Sequence, residues 1–169
     1  ILFEVNYPQL TPQSQLAIFA LLGLSLVFLK YPIHQSVAQN KTFQILDLFF
    51  AAAIFFCFAY ILVQTEPLFQ SHWLKGQSLG NRAGFEHPFD HAIGLIGLIL
   101  VLEATRRAIG FALPLLALTF LAYAAYGYTL PDWLFPNRGY NWERIVSQTF
   151  LHSQGVFGIA LKVMFTYVF

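Results

Sequence analysis

The segment that decides the fold is LFFAAAIFFCFAYILV, residues 48–63, which contains no charged residue. It lies at the centre of a longer apolar stretch, about 44–65, whose length matches the roughly 20 residues that a helix needs to cross a bilayer core. The chain shows no alternation of apolar and polar residues of the kind found in membrane barrels. The stretch therefore predicts a membrane-spanning α-helix, because a helix satisfies its own backbone hydrogen bonds.

The composition of the whole chain agrees with this prediction. Hydrophobic residues make up 57% of the 169 residues and charged residues only 10%, whereas soluble domains contain about 25% charged residues. The net charge of +1 gives no reason to propose a nucleic acid partner. The single cysteine, Cys57, lies in an apolar run and is predicted to be a small buried side chain. Because the chain lacks an initiator Met and stops within an apolar stretch, we expect an internal piece of a longer polypeptide.

Three further spans are predicted around the central one, at about 12–31, 90–109 and 111–130. Thr11 and Pro12 are typical of an N-cap and of the first position of a helix. A fifth apolar segment begins near residue 158 and continues to residue 169. The predicted fold is an all-α membrane protein with four transmembrane helices, an amphipathic interfacial helix and the start of a fifth span.

The distribution of basic residues predicts the orientation of these spans. Lys30, Arg106 and Arg107 lie directly at span ends, whereas the basic residues of the other connections lie farther from them. Since cations near span ends favour the cytoplasmic side, we place the connections 30–43 and 103–110 inside. The N-terminal stretch and the loops 66–90 and 131–144 are then outside.

The charged end of the third span is LEATRRAIG, residues 102–110. Glu103 is three residues before Arg106 and four before Arg107, so all three share one helical face, and Gly110 is suited to end the helix. Cations favour both a helix C-terminus and the anionic inner leaflet, which predicts a structural anchor. The alternative is a direct role in moving a solute or in holding a specific lipid.

The stretch FEHPFDH, residues 85–91, has the most site-like spacing of polar residues. His87, Asp90 and His91 could hold a metal ion, with Glu86 nearby. The simpler interpretation is that Asp90 is the N-cap of the third span. Asp47 is likewise predicted to be an interfacial helix cap, the alternative being a buried functional acid.

Residues 141–154 are predicted to form a short amphipathic helix. Trp142, Ile145, Val146 and Phe150 have the spacing of a single apolar stripe, which is typical of a helix lying on a membrane surface. The alternative is a loop helix packed on a neighbouring domain. Lys162, inside the fifth apolar segment, either reaches the outer interface or has a function of its own.

Several segments also carry a family resemblance. They are the acid-headed span from Asp47 onward, NRAG (81–84), LEATRRAIG (102–110), LPLLALTFLAYAAYG (113–127), LP (130–131), GVFGIALKV (155–163) and TYVF (166–169). Their order resembles the N-terminal part of the fused membrane subunit of TRAP (tripartite ATP-independent periplasmic) transporters, most of all the TAXI branch. The resemblance covers most of the chain from about residue 44, and LEATRR is its most specific piece. Lys162 departs from the pattern, in which a small or polar neutral residue is expected.

The resemblance implies that residues 1–135 form a Q-like membrane scaffold region and that residues 136–169 begin the M-like region. Such transporters lie in the bacterial inner membrane, take up organic acids with sodium, and receive solute from an extracytoplasmic binding protein. The solute and sodium sites belong to hairpins of the M region, so no catalytic residue, solute ligand or metal ligand is implied in this chain. The implied partners are the M region, the binding protein and membrane lipids. With the patterns above, the structural and interface candidates are Asp47, Asp90, Glu103, Arg106, Arg107 and Trp142.

A second interpretation is a membrane-embedded enzyme or assembly subunit that uses His87, Asp90, His91 and Glu103. In the predicted orientation, Glu103 lies at the inner face and the other three residues at the outer face. A separation of about 30 Å argues against one shared active site.

Overall fold

The structure is a computed structural model that describes residues 10–31, 41–131, 133 and 135–168. All regular secondary structure within these residues is helical, which confirms the all-α prediction. The predicted outside placement of the N-terminal stretch falls mainly on residues 1–9, and the predicted cytoplasmic connection mainly on residues 32–40, which lie outside the described residues.

The first helix, α1, runs from Pro12 to Lys30. Thr11 is its N-cap, as predicted, and the Thr11 side chain accepts a hydrogen bond from the Ser14 N–H at 3.4 Å. Proline suits the first helical position because the N–H that it lacks would have no partner there. The helix ends where Tyr31 adopts an extended conformation.

Two further long helices follow, α2 (Lys41–Thr65) and α3 (Pro88–Ile109), and then α4 (Ala112–Tyr126), which is extended by a 3₁₀ turn at Gly127–Thr129. Three segments are long and apolar enough to cross a membrane: Pro12–Lys30, Ile45–Thr65 and Ala112–Thr129. They expose large apolar side chains such as Leu29 and Phe120, as lipid-facing helices do. The predicted count of four spans is not confirmed, since α3, which carries four charged residues, is not among the three.

The connection between α2 and α3 contains three short 3₁₀ segments, Pro67–His72, Leu74–Gly76 and Gly80–Arg82. Glu66, just before the first of them, accepts hydrogen bonds from the backbone N–H and the hydroxyl of Thr11, both at 3.2 Å. The start of this loop is therefore held against the start of α1. Phe69 and Phe85 are exposed, whereas Trp73 is partly buried and donates to the Val63 carbonyl at 3.1 Å.

The hydrophobic core lies between α1, α2, α3 and the segment that follows residue 141. Phe58 of α2 makes edge-to-face contacts with Phe150 and Phe157, with ring centroids 5.6 Å and 5.7 Å away. The Phe150 ring lies directly on Gly97 of α3, where an added Cβ would be 2.1 Å from ring atoms. A side chain at position 97 would therefore collide with the Phe150 ring unless that ring moved.

The predicted amphipathic helix 141–154 is shorter than expected. Helix α5 runs from Trp142 to Val146 and continues as a π-helical turn over Ser147–Leu151. It ends there because the chain turns back and the Val156 N–H donates to the Thr149 carbonyl at 2.8 Å.

The apolar stripe of this segment is packed on protein. Ile145, Val146 and Phe150 are buried, whereas Trp142 is 49% exposed and contacts the Tyr126 ring at 6.2 Å. Since the segment packs against α3, the structure agrees with the alternative of a helix packed on its neighbours. Its orientation relative to a membrane stays a prediction. The last helix, α6 (Ile159–Val163), continues as a π-helical turn over Met164–Val168.

Candidate functional site

Four of the six predicted candidate residues come together at the C-terminal end of α3. We call Asp47, Glu103, Arg106 and Arg107 the Arg107 cluster. Arg106 binds Glu103 through two parallel hydrogen bonds, from Nε to Oε2 at 2.8 Å and from Nη2 to Oε1 at 2.7 Å. Arg107 Nε donates to the same Oε1 at 2.8 Å. The shared helical face predicted from the spacing of these three residues is therefore confirmed.

Arg107 also reaches the two other helices at this end. Its Nη1 lies 2.6 Å from Oδ1 of Asp47 on α2 and donates to the Tyr31 carbonyl after α1 at 3.3 Å. The guanidinium carbon lies over the rings of Phe28 and Phe50, 4.9 Å and 5.2 Å from their centroids. With no exposure of its side chain, Arg107 connects α1, α2 and α3.

Asp47 is not a helix cap, which corrects the prediction. Helix α2 begins at Lys41, so Asp47 lies inside the helix with its side chain 15% exposed. It is a largely buried acid paired with a fully buried guanidinium. Two carboxylates and two guanidiniums make the Arg107 cluster neutral, and removal of one member of such a buried pair typically costs about 3–5 kcal/mol.

Asp90 belongs to a second group at the opposite end of α3, the Asp90 cluster, formed by Tyr60, Gln64, Arg82 and Asp90. Asp90 is not the N-cap as predicted, because the helix begins two residues earlier, at Pro88. His87 is the N-cap, and Asp90 Oδ2 accepts from the His87 N–H at 2.8 Å. Its other oxygen accepts from the Tyr60 hydroxyl and lies 3.5 Å from Arg82 Nη2.

The Asp90 cluster holds the 66–87 loop on the end of α2. Arg82 is only 3% exposed and donates to Gln64 Oε1 at 2.9 Å. Gln64 in turn donates to the His72 carbonyl at 3.0 Å and accepts from the Leu74 N–H at 3.1 Å. Sequence reasoning missed Tyr60, Gln64 and Arg82. The available signal was Arg82 in NRAG, placed shortly before an acid in a chain with few charges.

A third polar group, the Glu86 cluster, joins the loop before α3 to the segment after α5. Glu86 Oε1 accepts from the Ser147 hydroxyl and bonds His152 Nε2 at 2.9 Å, while Oε2 accepts from the Gly84 N–H at 2.9 Å. Burial alone would raise the pKa of Glu86, but the hydrogen bonds from Ser147, His152 and the backbone outweigh burial and lower the pKa from 4.5 to about 2. Glu86 is therefore a carboxylate at neutral pH.

The three residues of the proposed metal site do not converge. The His87 ring accepts from the Phe89 N–H at 3.3 Å, and Asp90 is engaged by Tyr60 and Arg82. His91 instead lines an open polar cleft of about 680 Å³ beside Glu86. In the part of the chain that the structure describes, no group of three or more His, Cys, Asp or Glu residues is placed to hold a metal ion.

A smaller cleft, of about 420 Å³, lies between the first turn of α1 and helix α6. Lys162, which departs from the family pattern, forms part of its wall. We call it the Lys162 cleft. Its polar lining is formed by Gln13, Gln15, Ser153, Lys162 and Thr166.

Comparison with known proteins gave no further guide to these sites: no family model, no curated protein and no solved structure matches the chain.

Proposed function

We propose that this chain is the scaffold part of a sodium-coupled secondary transporter of the TRAP type, which takes up organic acids delivered by an extracytoplasmic binding protein. The observation that carries this proposal is the Arg107 cluster. A scaffold that supports a moving transport region must be rigid, and its buried charges must be satisfied by one another. The neutral contact between three helices supports both requirements, because the fully buried Arg107 side chain pairs with Asp47 and Glu103 and leaves only its Nη2 without a hydrogen-bond partner among the described residues.

The proposal divides the chain into a Q-like region, residues 1–135, and the start of an M-like region, residues 136–169. The Glu86 cluster supports a fixed contact between the two, because Glu86 lies in the first region and both Ser147 and His152 lie in the second. Phe150 in the groove of α3 beside Gly97 adds an apolar contact across the same boundary. The sodium site, the solute site of the transport region and the bacterial inner membrane location are part of the proposal and rest on the resemblance.

The same geometry favours a scaffold over a membrane-embedded enzyme. His87, Asp90 and His91 have separate surroundings at one end of α3, and Glu103 is held by two arginines at the other end. A shared catalytic site would need these groups to face a common reacting atom.

Uptake by whole cells tests the proposed function. Cells that carry the gene for the full-length protein, a deletion strain and a complemented strain are given radiolabelled acetate, succinate or 2-oxoglutarate, with and without a sodium gradient. We expect sodium-dependent uptake of at least one acid to be lost on deletion and restored by complementation. Equal uptake by all three strains for every acid would refute the proposal.

A further inference from the structure

Lys162 differs from the three arginines that form ion pairs among the described residues. Arg82, Arg106 and Arg107 each lie within 4 Å of a carboxylate, whereas no ion pair or side-chain hydrogen bond of Lys162 occurs within the described residues. It lies four residues after Gly158, within an apolar helical segment. Lys162 is exposed, so its ammonium group is accessible to a ligand at the surface of the described structure.

The Lys162 cleft provides the space for a partner. Its volume of about 420 Å³ is in the range of small-molecule sites. Among the described residues that line it, Lys162 carries the only charge and none is an acid. The wall is also fixed in position, since Gln13 Nε2 donates to the Leu151 carbonyl at 2.8 Å.

The chemistry of the wall suits an anion with a short carbon chain. The ammonium group of Lys162 and the hydroxyls of Ser153 and Thr166 are donors to negatively charged oxygens. Phe157 and Phe165, both buried, give the cleft an apolar side.

We propose that the Lys162 cleft binds a carboxylate group of a small organic acid, a contact site for the transported solute on the scaffold. This inference rests on the proposed function for the identity of the anion. The site is separate from the solute site expected in the transport region, and its ligand contacts are the Lys162 ammonium and the neighbouring hydroxyls.

Protection of Lys162 from acylation tests this site directly. The full-length protein is reconstituted in phosphatidylcholine nanodiscs and treated with an amine-reactive acetyl ester. The modification rate of each lysine is read by mass spectrometry with acetate, succinate, 2-oxoglutarate or chloride at equal ionic strength. We expect at least one acid to slow acylation of Lys162 several-fold while leaving the exposed loop residue Lys75 unchanged. No protection by any acid, or equal protection of both lysines, would overturn the proposal.

A lipid phosphate could supply the same negative charge, so the measurement is repeated in nanodiscs that contain phosphatidylglycerol. Protection of Lys162 by this lipid, without protection by any organic acid in phosphatidylcholine, would overturn the solute site. Protection by an acid in phosphatidylcholine supports it, whatever the added lipid does.

Uptake kinetics separate this inference from the proposed function. Lys162→Gln is expected to raise KM roughly tenfold with little change in kcat, and Lys162→Arg is expected to keep KM near the wild-type value. If uptake is sodium-dependent but Lys162 is not protected, the site is wrong and the function stands. If Lys162 is protected but deletion leaves uptake unchanged, the transport proposal fails and the site stands.

Discussion

Replacement of Arg107 by Met is the sharpest test of the structural role of the Arg107 cluster. Methionine is apolar and long enough to keep contact with the rings of Phe28 and Phe50, but it removes the charge and every donor. The substitution deletes the hydrogen bonds to Asp47 at 2.6 Å, to Glu103 at 2.8 Å and to the Tyr31 carbonyl at 3.3 Å.

The loss of stability expected for Arg107→Met depends on which carboxylates are left without a partner. Glu103 keeps its two hydrogen bonds to Arg106, but Asp47, only 15% exposed, loses its partner. Hydrogen bonds between uncharged side chains in membrane helices are worth only about 0.6 kcal/mol on average. An unpaired buried carboxylate is a different case, and breaking such an ion pair costs about 3–5 kcal/mol. We expect Arg107→Met to lower the free energy of unfolding by about this amount.

The matched control is Arg106→Met, one position earlier on the same helix. Arg106 is 24% exposed, and among the described residues its side chain hydrogen-bonds only to Glu103, which keeps Arg107 as a partner. We expect Arg106→Met to lower the free energy of unfolding by only about 1 kcal/mol, as is typical of more exposed ion pairs. Both variants are measured by SDS titration of purified protein in mixed micelles, with unfolding followed by far-UV circular dichroism.

The double substitution Asp47→Asn/Arg107→Met separates the buried charge from the lost contacts. It removes both charges of the contact between α2 and α3, so the double variant should be more stable than Arg107→Met alone. Equal losses for Arg106→Met and Arg107→Met, or a double variant less stable than Arg107→Met, would refute the assigned role of Arg107.

Three further predictions concern other parts of the chain. Gly97→Val should lower the free energy of unfolding in the same SDS titration by about 1–3 kcal/mol through collision with Phe150, whereas Gly23→Ala, with open space at its Cβ position and a better helix former, should not lower it. Since the folded-state pKa of Glu86 is lowered to about 2, its contribution to stability is present above about pH 4.5 and lost as the pH falls towards 2, and Glu86→Gln should remove this part of the pH dependence. A cysteine introduced at the exposed Gln77 should react with an impermeant maleimide in intact cells if the 66–90 loop is outside.

Each of these three predictions has a clear contradicting result. Equal stabilities of the Gly97→Val and Gly23→Ala variants would contradict the close packing of α3 on Phe150. A stability profile of Glu86→Gln that still falls as wild type does between pH 4.5 and 2 would exclude Glu86 as the titrating group. Labelling of the cysteine at position 77 only after the cells are permeabilised would reverse the predicted orientation.

The helices could largely be predicted from the sequence, because their causes are local. The long apolar runs predicted α1, α2 and α4 to within a few residues, and Thr11 with Pro12 marked the start of α1. The same local reasoning misplaced the start of α3, since Asp90 is a more common N-cap than His87. Proline at position 88 favours the first helical position, and it leaves His87 as the cap and Asp90 in the first turn.

The helix after residue 141 could be predicted only in part from the local sequence. Its apolar spacing predicted one stripe of Trp142, Ile145, Val146 and Phe150. The last three are buried, whereas Trp142 is 49% exposed. The spacing could not show that the chain turns back over Thr149, because that turn depends on contacts made after the helix ends. The stripe is buried against α3, and the spacing of apolar residues could not predict this partner either.

The sequence by itself determined the approximate positions of the long helices, the apolar character of the three segments that could cross a membrane, and that Glu103 shares a face with both arginines. All three follow from interactions within about four residues along the chain. Only the tertiary structure decided the partners of the buried charges. Asp47 and Arg107 are 60 residues apart, and Glu86 and His152 are 66 residues apart. Apolar burial is non-directional and does not select such partners. They are set by how the packed helices bring their polar ends together.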